Sequence, residues 1–584
     1  MNSDKFVRVA TIGDLKSAGP FAFSADGVDV VLMRRGPVWR AFEGRCPHQG
    51  ALLSEGDVDG DALVCRNHRW RFAIDSGRRE GGPECLALCP VEERDGALFV
   101  DVASLKRASG HIATARSLDG LPGPPGLPLI GNLHQLSPIR MHLILEAWAA
   151  QYGSIYQFRM GSKRIVVTSD PKLIEESHCA RPDTYRRQAH LDATMREMGI
   201  RGVFNAEGDA WRSQRKLTVA ALAQRHLREV YPSIRTVATR LKSRWERAAA
   251  AGAALDAVEE LKRFTVDVTM LIVFGHDANT VEDSGDVIQR HLSVVFPTGN
   301  RRLFAIFPIW RYLRTPEERR LQRALKAIRA WFDGLVADAR ARLAAEPERA
   351  RRPSNFLEAM LASVDERGEP YSDGVIMSNL ITMILAGEDT TAYTLAWAMH
   401  EVCDRREWAA RMRREADDAL GADDVADTFE TANRLPIANA VANETMRLRP
   451  GGPVGFLDAN VDTTLGGYFI PKGTSVDVLC RPAVLDPDNF VDPRAFRPER
   501  WLGEVVGPNK LPLSIPFGLG PRLCPGRSLA LIEMKTFLSM LYKNFDVERV
   551  GDRADVSEIF GFTMLSKGVK VRLKSRVRES VVQT

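Results

Sequence analysis

Short apolar runs separated by turn residues characterise residues 1–105. The runs VDVVLM, VWRAFE, ALVC and ALFVDV are bounded by Gly and Asp. Apolar runs of this length between turn-forming residues are typical of β-strands. The pattern therefore predicts a small all-β domain over residues 1–105, which is an ordinary size for a domain.

A helical pattern dominates the rest of the chain. Residues 106–120 are small and polar, and the Pro- and Gly-rich segment 121–132 cannot continue a helix or a central strand. Between residues 140 and 450, stretches such as RHLREVYPSIRTVATRLKSRWERAAA carry apolar residues at helical spacing. Residues 451–525 suggest short strands, residues 526–543 a helix, and the remainder a β-rich tail. We therefore expect a linker at 106–120 and a larger, mainly α (α+β) domain over 121–584.

Length and composition agree with a multidomain chain. The chain has 584 residues, whereas one hydrophobic core rarely grows beyond about 250–300 residues. A net charge of +5 is too small over this length to indicate nucleic-acid binding. We find no apolar run of about 18 residues and so expect no transmembrane segment. The polar N-terminus lacks the apolar run of a signal peptide, which predicts a cytoplasmic location.

A first candidate site combines thiols and imidazoles. The eight cysteines are too few for a disulfide scaffold in a chain of this length. Two pairs, C-x-H and C-x-x-H, stand out: Cys46, His48, Cys65 and His68. Such a set can hold a zinc ion or a 2Fe–2S cluster with two Cys on one iron and two His on the other. The one-residue spacing of the first pair is shorter than zinc fingers usually show.

The residues around these pairs resemble the two loops of a Rieske domain. CPHQGALLSEG (46–56) matches the first loop, and CRNHRWRF (65–72) matches the second. The resemblance implies a 2Fe–2S cluster held by the two cysteines and two histidines, with the exposed His rings as the electron exit. Two residues depart from the family pattern: Arg66 stands in place of Pro, and Arg69 in place of Gly.

A second candidate site is the segment FGLGPRLCPG (517–526), which matches the pattern FxxGxRxCxG. It contains an aromatic residue, three glycines, an arginine and a cysteine: Phe517, Gly518, Gly520, Arg522, Cys524 and Gly526. The glycines allow a tight turn, and the start of the following helix favours a thiolate. A lone apolar Cys is normally a small buried hydrophobe, but Phe517, Gly520, Arg522, Cys524 and Gly526 match the five fixed positions of the pattern in order, which argues against that interpretation.

This segment resembles the cysteine loop of cytochromes P450. The resemblance implies heme b with Cys524 as its thiolate ligand, Phe517 shielding the sulfur and Arg522 pairing with a propionate. Trp211 and Arg215 resemble the family's helix C pair, which also holds a propionate. Leu457 stands where many relatives carry an Arg that touches a propionate or an acidic substrate.

An ion-pair motif supports the same resemblance. Glu and Arg at i, i+3 alone form a weak surface pair. Here Glu444 and Arg447 are followed by FRPERW (496–501), whose Arg500 completes the structural ion-pair network of the family. We expect these three residues to stabilise the fold and not to take part in catalysis.

A long buried helix is predicted over residues 373–403. Its centre matches the family signature (A/G)GxxT at Ala386, Gly387 and Thr390, and Asp389 directly precedes the Thr. A mid-helix Thr ordinarily bonds the carbonyl four residues back. The resemblance implies that Thr390 positions a water beside dioxygen, that Asp389 relays a proton, and that Ala386 and Gly387 contact the haem, the glycine leaving room above it.

Together, the two resemblances predict a small all-β Rieske domain followed by a cytochrome P450 fold. The implied activity is oxygen insertion from O2 into a lipophilic small molecule. The chain has no dinucleotide or flavin fingerprint, so a separate NAD(P)H-dependent flavoprotein reductase is expected. Two alternatives stay open. The Rieske domain is a redox sensor or docking module and the haem has another donor, or the chain binds haem without turnover.

Overall fold

The computed structural model describes residues 6–576 except 16–18, 26–27, 37, 48–50, 68, 78, 81–85, 87, 102–114, 284–286, 304, 306–308, 314, 366 and 562. The predicted ligands His48 and His68, and residues 106–114 of the predicted linker, lie outside the described residues.

Short antiparallel strands build the N-terminal domain, as the apolar runs predict. Its strands are β1 Val7–Thr11, β2 Phe21–Ala25, β3 Val28–Arg35, β4 Val38–Glu43, β5 Asp57–Asp59, β6 Ala62–Val64, β7 Arg71–Ala73, β8 Leu88–Cys89, β9 Val91–Arg94 and β10 Ala97–Val100. They form a sheet in the order β2-β3-β4-β8 and two three-stranded sheets, β1-β10-β9 and β5-β6-β7. Alternate residues of β3 and β4 enter two separate apolar clusters, as the two-residue period of a strand requires.

Helices dominate the second domain. They are α1 Met141–Tyr152, α2 Pro171–Cys179, α3 Ala189–Glu197, α4 Gly208–Ala221, α5 Gln224–Ala250, α6 Ala257–Phe274, α7 Val287–Leu303, α8 Pro316–Ala345, α9 Phe356–Leu361, α10 Asp373–Val402, α11 Arg406–Leu420, α12 Phe429–Asn433, α13 Pro436–Leu448 and α14 Arg527–Asn544. The expected long helix and the expected helix near 526–543 are α10 and α14. The amphipathic stretch from 225 to 250 is α5, which continues through Pro232.

Strands also occur within and after the helical region. They are β11 Ile155–Met160, β12 Lys163–Thr168, β13 Tyr185–Arg187, β14 Ala254–Asp256, β15 Val454–Ala459, β16 Thr463–Leu465, β17 Tyr468–Ile470, β18 Ser475–Leu479, β19 Phe545–Arg549, β20 Ser557–Phe560, β21 Met564–Lys567 and β22 Lys570–Ser575. Five of them form one mixed sheet in the order β11-β12-β18-β15-β13. This sheet joins β13, which precedes α3, to β15, which follows α13.

The main core surrounds α10, which packs along α6 and α14. Large aromatic residues fill it: Trp245 meets Phe537 edge-to-face with ring centroids 5.6 Å apart. Trp245 is fully buried, and its indole donates to Glu260 at 3.0 Å. Because a buried indole N–H needs a partner, this bond fixes the packing of α5 against α6.

Candidate functional site

Two similar loops place the N-terminal cysteines. Cys46 follows β4 and Cys65 follows β6, and both are buried in the same apolar cluster. The amide of Cys46 donates to the Ala51 carbonyl at 2.8 Å, and the amide of Cys65 donates to the Trp70 carbonyl at 2.8 Å. Each loop is therefore closed at its base five residues after its cysteine.

Arg69 explains one departure from the Rieske pattern. Its φ is 57°, in the left-handed region where glycine is favoured. The family's glycine position therefore keeps the backbone conformation of glycine although the residue is arginine. The side chain pairs with Asp57 at 2.7 Å on the surface. Next to it, the Arg79 guanidinium lies 3.6 Å from the centre of the Trp70 ring.

The loop before α14 holds Cys524 in a tight turn. Gly518 and Gly520 have φ values of 76° and 65°. A Cβ at Gly520 would lie 2.7 Å from the His178 carbonyl oxygen, so no side chain fits there. The Cys524 amide donates to the Phe517 carbonyl at 2.9 Å. The sequence expectation of a glycine-dependent turn is met at these two positions.

Two opposing effects act on the pKa of the Cys524 thiol. Burial raises the pKa of the Cys524 thiol, whereas the amides of Gly526 and Arg527 and the charge of Arg215 favour the thiolate. A Cβ at Gly526 would lie 3.8 Å from Cys524 Sγ, so the backbone of α14 begins beside the sulfur. Burial alone would neutralise the group. The polar groups aimed at it provide the stabilisation that an anionic ligand needs.

Four arginines converge near this loop, and we call them the arginine cradle: Arg181, Arg187, Arg215 and Arg522. The Arg522 guanidinium lies 4.3 Å from the centre of the Trp211 ring and donates to Glu207. Arg187 donates from Nε to the Phe204 carbonyl at 2.8 Å. Trp211 and Arg215 both lie on α4, so the residues expected from the sequence are brought together here.

The arginine cradle carries more positive than negative charge. Burial and mutual repulsion lower the pKa of Arg187, and burial lowers the pKa of Arg522 to about 9. Arg181 Nε and Nη2 and Arg522 Nε are buried and have no hydrogen-bond partner among the described residues. Since buried charges require counter-charges, the cradle fits a ligand with carboxylates. Haem propionates supply them.

The centre of α10 faces a hollow. Ala386 is exposed although the helix around it is largely buried. Thr390 Oγ1 donates to the Ala386 carbonyl at 2.6 Å, the bond expected of a mid-helix Thr. This bond leaves the hydroxyl oxygen with an open acceptor position. Asp389, the preceding residue, lines an apolar cavity together with Met195 and Ile200.

Gly387 requires a correction to the sequence interpretation. We expected this glycine to leave room above the haem. A Cβ at Gly387 would instead lie 2.9 Å from Thr269 Oγ1 of α6. The missing side chain therefore lets α10 approach α6 closely, and Ala386 is the residue whose side chain faces open space.

Charged groups next to Thr390 form a small cluster that the sequence did not reveal. Lys262 Nζ of α6 lies 3.0 Å from Asp389 Oδ1. Burial opposes the ammonium form of Lys262, but the charge of Asp389 outweighs it and raises the lysine pKa. Glu388 Oε2 is buried without a hydrogen-bond partner in the described chain, and burial raises the pKa of this carboxyl to about 8.

The predicted ion-pair network is formed and fully buried. Arg447 donates two bonds of 2.8 Å to the Glu444 carboxylate, and Arg500 Nε donates to Glu444 Oε1 at 3.2 Å. The Trp501 indole also donates to Glu444 at 3.1 Å. The network lies in the core and ties α13 to the segment before the cysteine loop, which agrees with the expected structural role.

Comparison with known families settles the class of protein. The cytochrome P450 family model matches residues 121–573. The chain belongs to the cytochrome P450 family. Residues 5–92 match the model of the Rieske [2Fe-2S] domain, so this P450 carries a Rieske domain at its N-terminal end.

Individual relatives agree with the family. Cytochrome P450 81F1 of Arabidopsis thaliana is 28% identical over 464 residues, covering 76% of this chain and 90% of the relative. Isoflavone 2'-hydroxylase of Glycyrrhiza echinata is 26% identical over 487 residues, covering 80% and 94%. The crystal structure of the cytochrome P450DA heme domain matches with a TM-score of 0.70 at 23% identity, covering 79% of this chain and 99% of that one. It supports the fold.

The family gives this P450 its cofactors and reaction class. The chain is a P450 monooxygenase with a cysteine-ligated haem and a 2Fe–2S cluster. The arginine cradle and the cysteine loop fit the haem, and the paired cysteine loops fit the cluster. Among the helices in the described ranges, none combines the length and apolar character that crossing a bilayer requires.

Some members of the site carry no local sequence signal. Arg181 and Arg187 belong to the cradle but lie in a short segment without a recognisable motif. Lys262 lies on an amphipathic helix, where a lysine is unremarkable by pattern alone. Leu457 gave only an indirect hint, because many relatives carry an Arg at this position.

Proposed function

We propose that this P450 inserts one oxygen atom from O2 into a C–H bond of a lipophilic small molecule. Substrate, O2, two electrons and two protons give an alcohol and water. When bound, the haem supplies oxygen activation and the 2Fe–2S cluster supplies electrons singly. The observation that carries the proposal is the pair Asp389 and Thr390 on α10, beside an apolar cavity.

We assign the haem to the second domain. Cys524 Sγ is its proximal ligand, and Trp211, Arg215 and Arg522 bind its propionates together with Arg181 and Arg187. The remaining contacts come from α10 and the cysteine loop: Ala386, Phe517, Gly518, Gly520 and Gly526. The charge excess of the arginine cradle supports this assignment.

Two residues of α10 handle protons. Asp389 carries a proton on its carboxylate toward the cavity, and Lys262 holds that carboxylate in place through its 3.0 Å contact. Thr390 Oγ1 donates to the Ala386 carbonyl and accepts a hydrogen bond from a water molecule. Proton delivery by a positioned acid accelerates reactions by about 10²–10⁴-fold.

We assign the 2Fe–2S cluster to Cys46, His48, Cys65 and His68. The burial of both cysteines in one cluster supports this ligand set. Electrons come from a separate NAD(P)H-dependent flavoprotein reductase. Because the two domains share a chain, the local concentration of donor at the haem is about millimolar, so transfer within the chain competes well with external donors.

The experiment compares Cys65→Ser with Cys89→Ser in the full-length holoprotein. Both change a buried cysteine of the N-terminal domain, but only Cys65 is an assigned ligand. NADPH and a flavoprotein ferredoxin reductase are added under carbon monoxide, which traps reduced haem. We expect rapid haem reduction in the native protein and in Cys89→Ser, and its loss in Cys65→Ser.

Peroxide-driven turnover distinguishes loss of electron transfer through the cluster from damage to the haem domain. Cys65→Ser should keep oxidation of a lipophilic probe when hydrogen peroxide replaces O2 and electrons, because the haem domain is intact. Unchanged haem reduction by NADPH in Cys65→Ser would overturn the relay. That result would favour the alternative in which the Rieske domain is a sensor or docking module and the haem uses another donor.

A further inference from the structure

Two apolar cavities adjoin each other beside α10. They share four lining residues, Met198, Ile200, Val295 and Leu385. The inner cavity is also lined by Asp389, next to Thr390. The outer cavity continues between α8 and α10. A ligand that fills both would extend from the oxygen-activating helix toward α8.

Arg329 is the charged residue of the outer cavity. All other described residues that line this cavity are apolar. A Cβ at Gly199 would overlap Arg329 Nη2, so the absence of a side chain at Gly199 lets the guanidinium lie against the cavity wall. Gly199 has a φ of 78°, which independently favours glycine. The backbone at this position therefore accommodates the arginine head group.

The Arg329 guanidinium is available to a ligand. Arg329 is exposed, and within the described ranges its side chain makes no hydrogen bond or ion pair. The acids of the adjoining segment are already engaged. Glu197 accepts from the Trp310 indole at 2.7 Å, and Asp192 accepts from Arg196 at 3.0 Å. A planar guanidinium with free donors at the end of an apolar cavity is suited to a carboxylate.

We propose that Arg329 binds the carboxylate of an amphiphilic substrate whose apolar chain fills the two cavities. This inference rests on the proposed oxygen insertion and names its substrate class. The far end of the chain then lies near Asp389 and Thr390, so oxygen enters away from the carboxylate.

The test uses two probes of equal chain length, dodecanoate and 1-dodecanol, with the full-length holoprotein. Binding is measured by calorimetry and by the shift of the haem absorption band, below the micelle-forming concentration of each probe. Arg329→Gln is compared with Arg320→Gln, a matched change of an exposed arginine on the same helix that lines neither cavity. Arg329→Lys tests whether charge alone suffices.

We expect Arg329→Gln to weaken dodecanoate binding by about tenfold, because a charge-assisted bond is lost. The affinity for 1-dodecanol should not change, and Arg320→Gln should change neither. Arg329→Lys should recover part of the loss. Equal affinities of the native protein for both probes, or unchanged dodecanoate binding in Arg329→Gln, would overturn the proposed binding of a carboxylate by Arg329. The proposed oxygenase activity would be unaffected. Failure of both probes to bind would overturn the apolar substrate as well.

Discussion

Arg187 lies directly opposite Leu457 in the antiparallel pairing of β13 with β15. Side chains of directly opposed residues lie on the same face of a sheet. Arg187 therefore places a cation on the same face of the sheet as Leu457, where many relatives carry an Arg. We propose that Arg187 makes the propionate contact that many relatives make through an Arg at the position of Leu457.

Removing this cation should weaken haem retention. Arg187→Gln should release haem about tenfold faster than the native protein, because one charged partner of a propionate is lost. The rate is measured by transfer of haem to excess apomyoglobin, which needs no substrate or reductase. Arg186→Gln is the control, since adjacent strand residues point to opposite faces. Equal rates for Arg187→Gln and the native protein would exclude Arg187 from the haem site.

Arg69 offers a test of backbone strain in the second cysteine loop. A non-glycine residue in the left-handed region costs about 1 kcal/mol, and its exposed ion pair with Asp57 contributes less. Arg69→Gly should therefore raise the unfolding temperature of the N-terminal domain, followed by the visible circular dichroism of its cluster. Arg66→Gly, at a position without positive φ, should lower it. A lower unfolding temperature in Arg69→Gly would contradict the strain argument.

Glu388 should make stability depend on pH. Its pKa is about 8 in the folded protein against an ordinary 4.5. A carboxyl with a raised pKa lowers the free energy of unfolding as the pH rises from its ordinary pKa to its raised pKa. Above the raised pKa the whole loss of stability is present. Glu388→Gln removes the carboxyl that must ionise. The variant should therefore be more stable than the native protein by about 2–4 kcal/mol at alkaline pH, and only slightly more stable at acidic pH.

Urea unfolding of both proteins across the same pH range measures this difference. Glu407→Gln, a change at an exposed carboxyl of α11, serves as the control and should show no such trend. A constant difference between Glu388→Gln and the native protein at all pH values would show that the Glu388 carboxyl does not take up a proton on folding.

The proton-handling pair predicts two different defects. Asp389→Asn should lower NADPH-driven product formation by about 10²-fold while the haem spectrum stays native. Thr390→Ala should keep NADPH oxidation but release more hydrogen peroxide per NADPH, because water near O2 is no longer held in place. Thr391→Ala, at the next and buried position, should change neither ratio. Peroxide release in Thr390→Ala equal to that of the native protein would remove Thr390 from this role.

Local patterns predicted the parts of the site that lie close together in the sequence. The cysteine loop, the Glu444–Arg447 pair and the helix that carries Thr390 each follow from a few neighbouring residues whose spacing encodes a turn or a helix face. Gly387 shows the limit of this approach. Its spacing identified the motif, but which neighbour uses the space depends on the packing of α6.

Residues that join the site through tertiary register were not predictable. Arg187 reaches the arginine cradle because β13 pairs with β15, and Arg329 reaches the cavity because Gly199 admits its guanidinium. Neither relation produces a periodic pattern in the amino-acid sequence. Only the complete fold brings such positions together.

The positive charge of the arginine cradle also has a consequence for how the enzyme is matured and handled. Cofactor insertion is, electrostatically, a neutralisation step, and small polyvalent anions compete for the same guanidinium groups. Apoprotein kept in phosphate buffer should therefore be better folded yet take up haem more slowly than apoprotein kept in a buffer without such anions. The choice of buffer during reconstitution therefore affects the stability of the apoprotein and the rate of haem uptake in opposite directions.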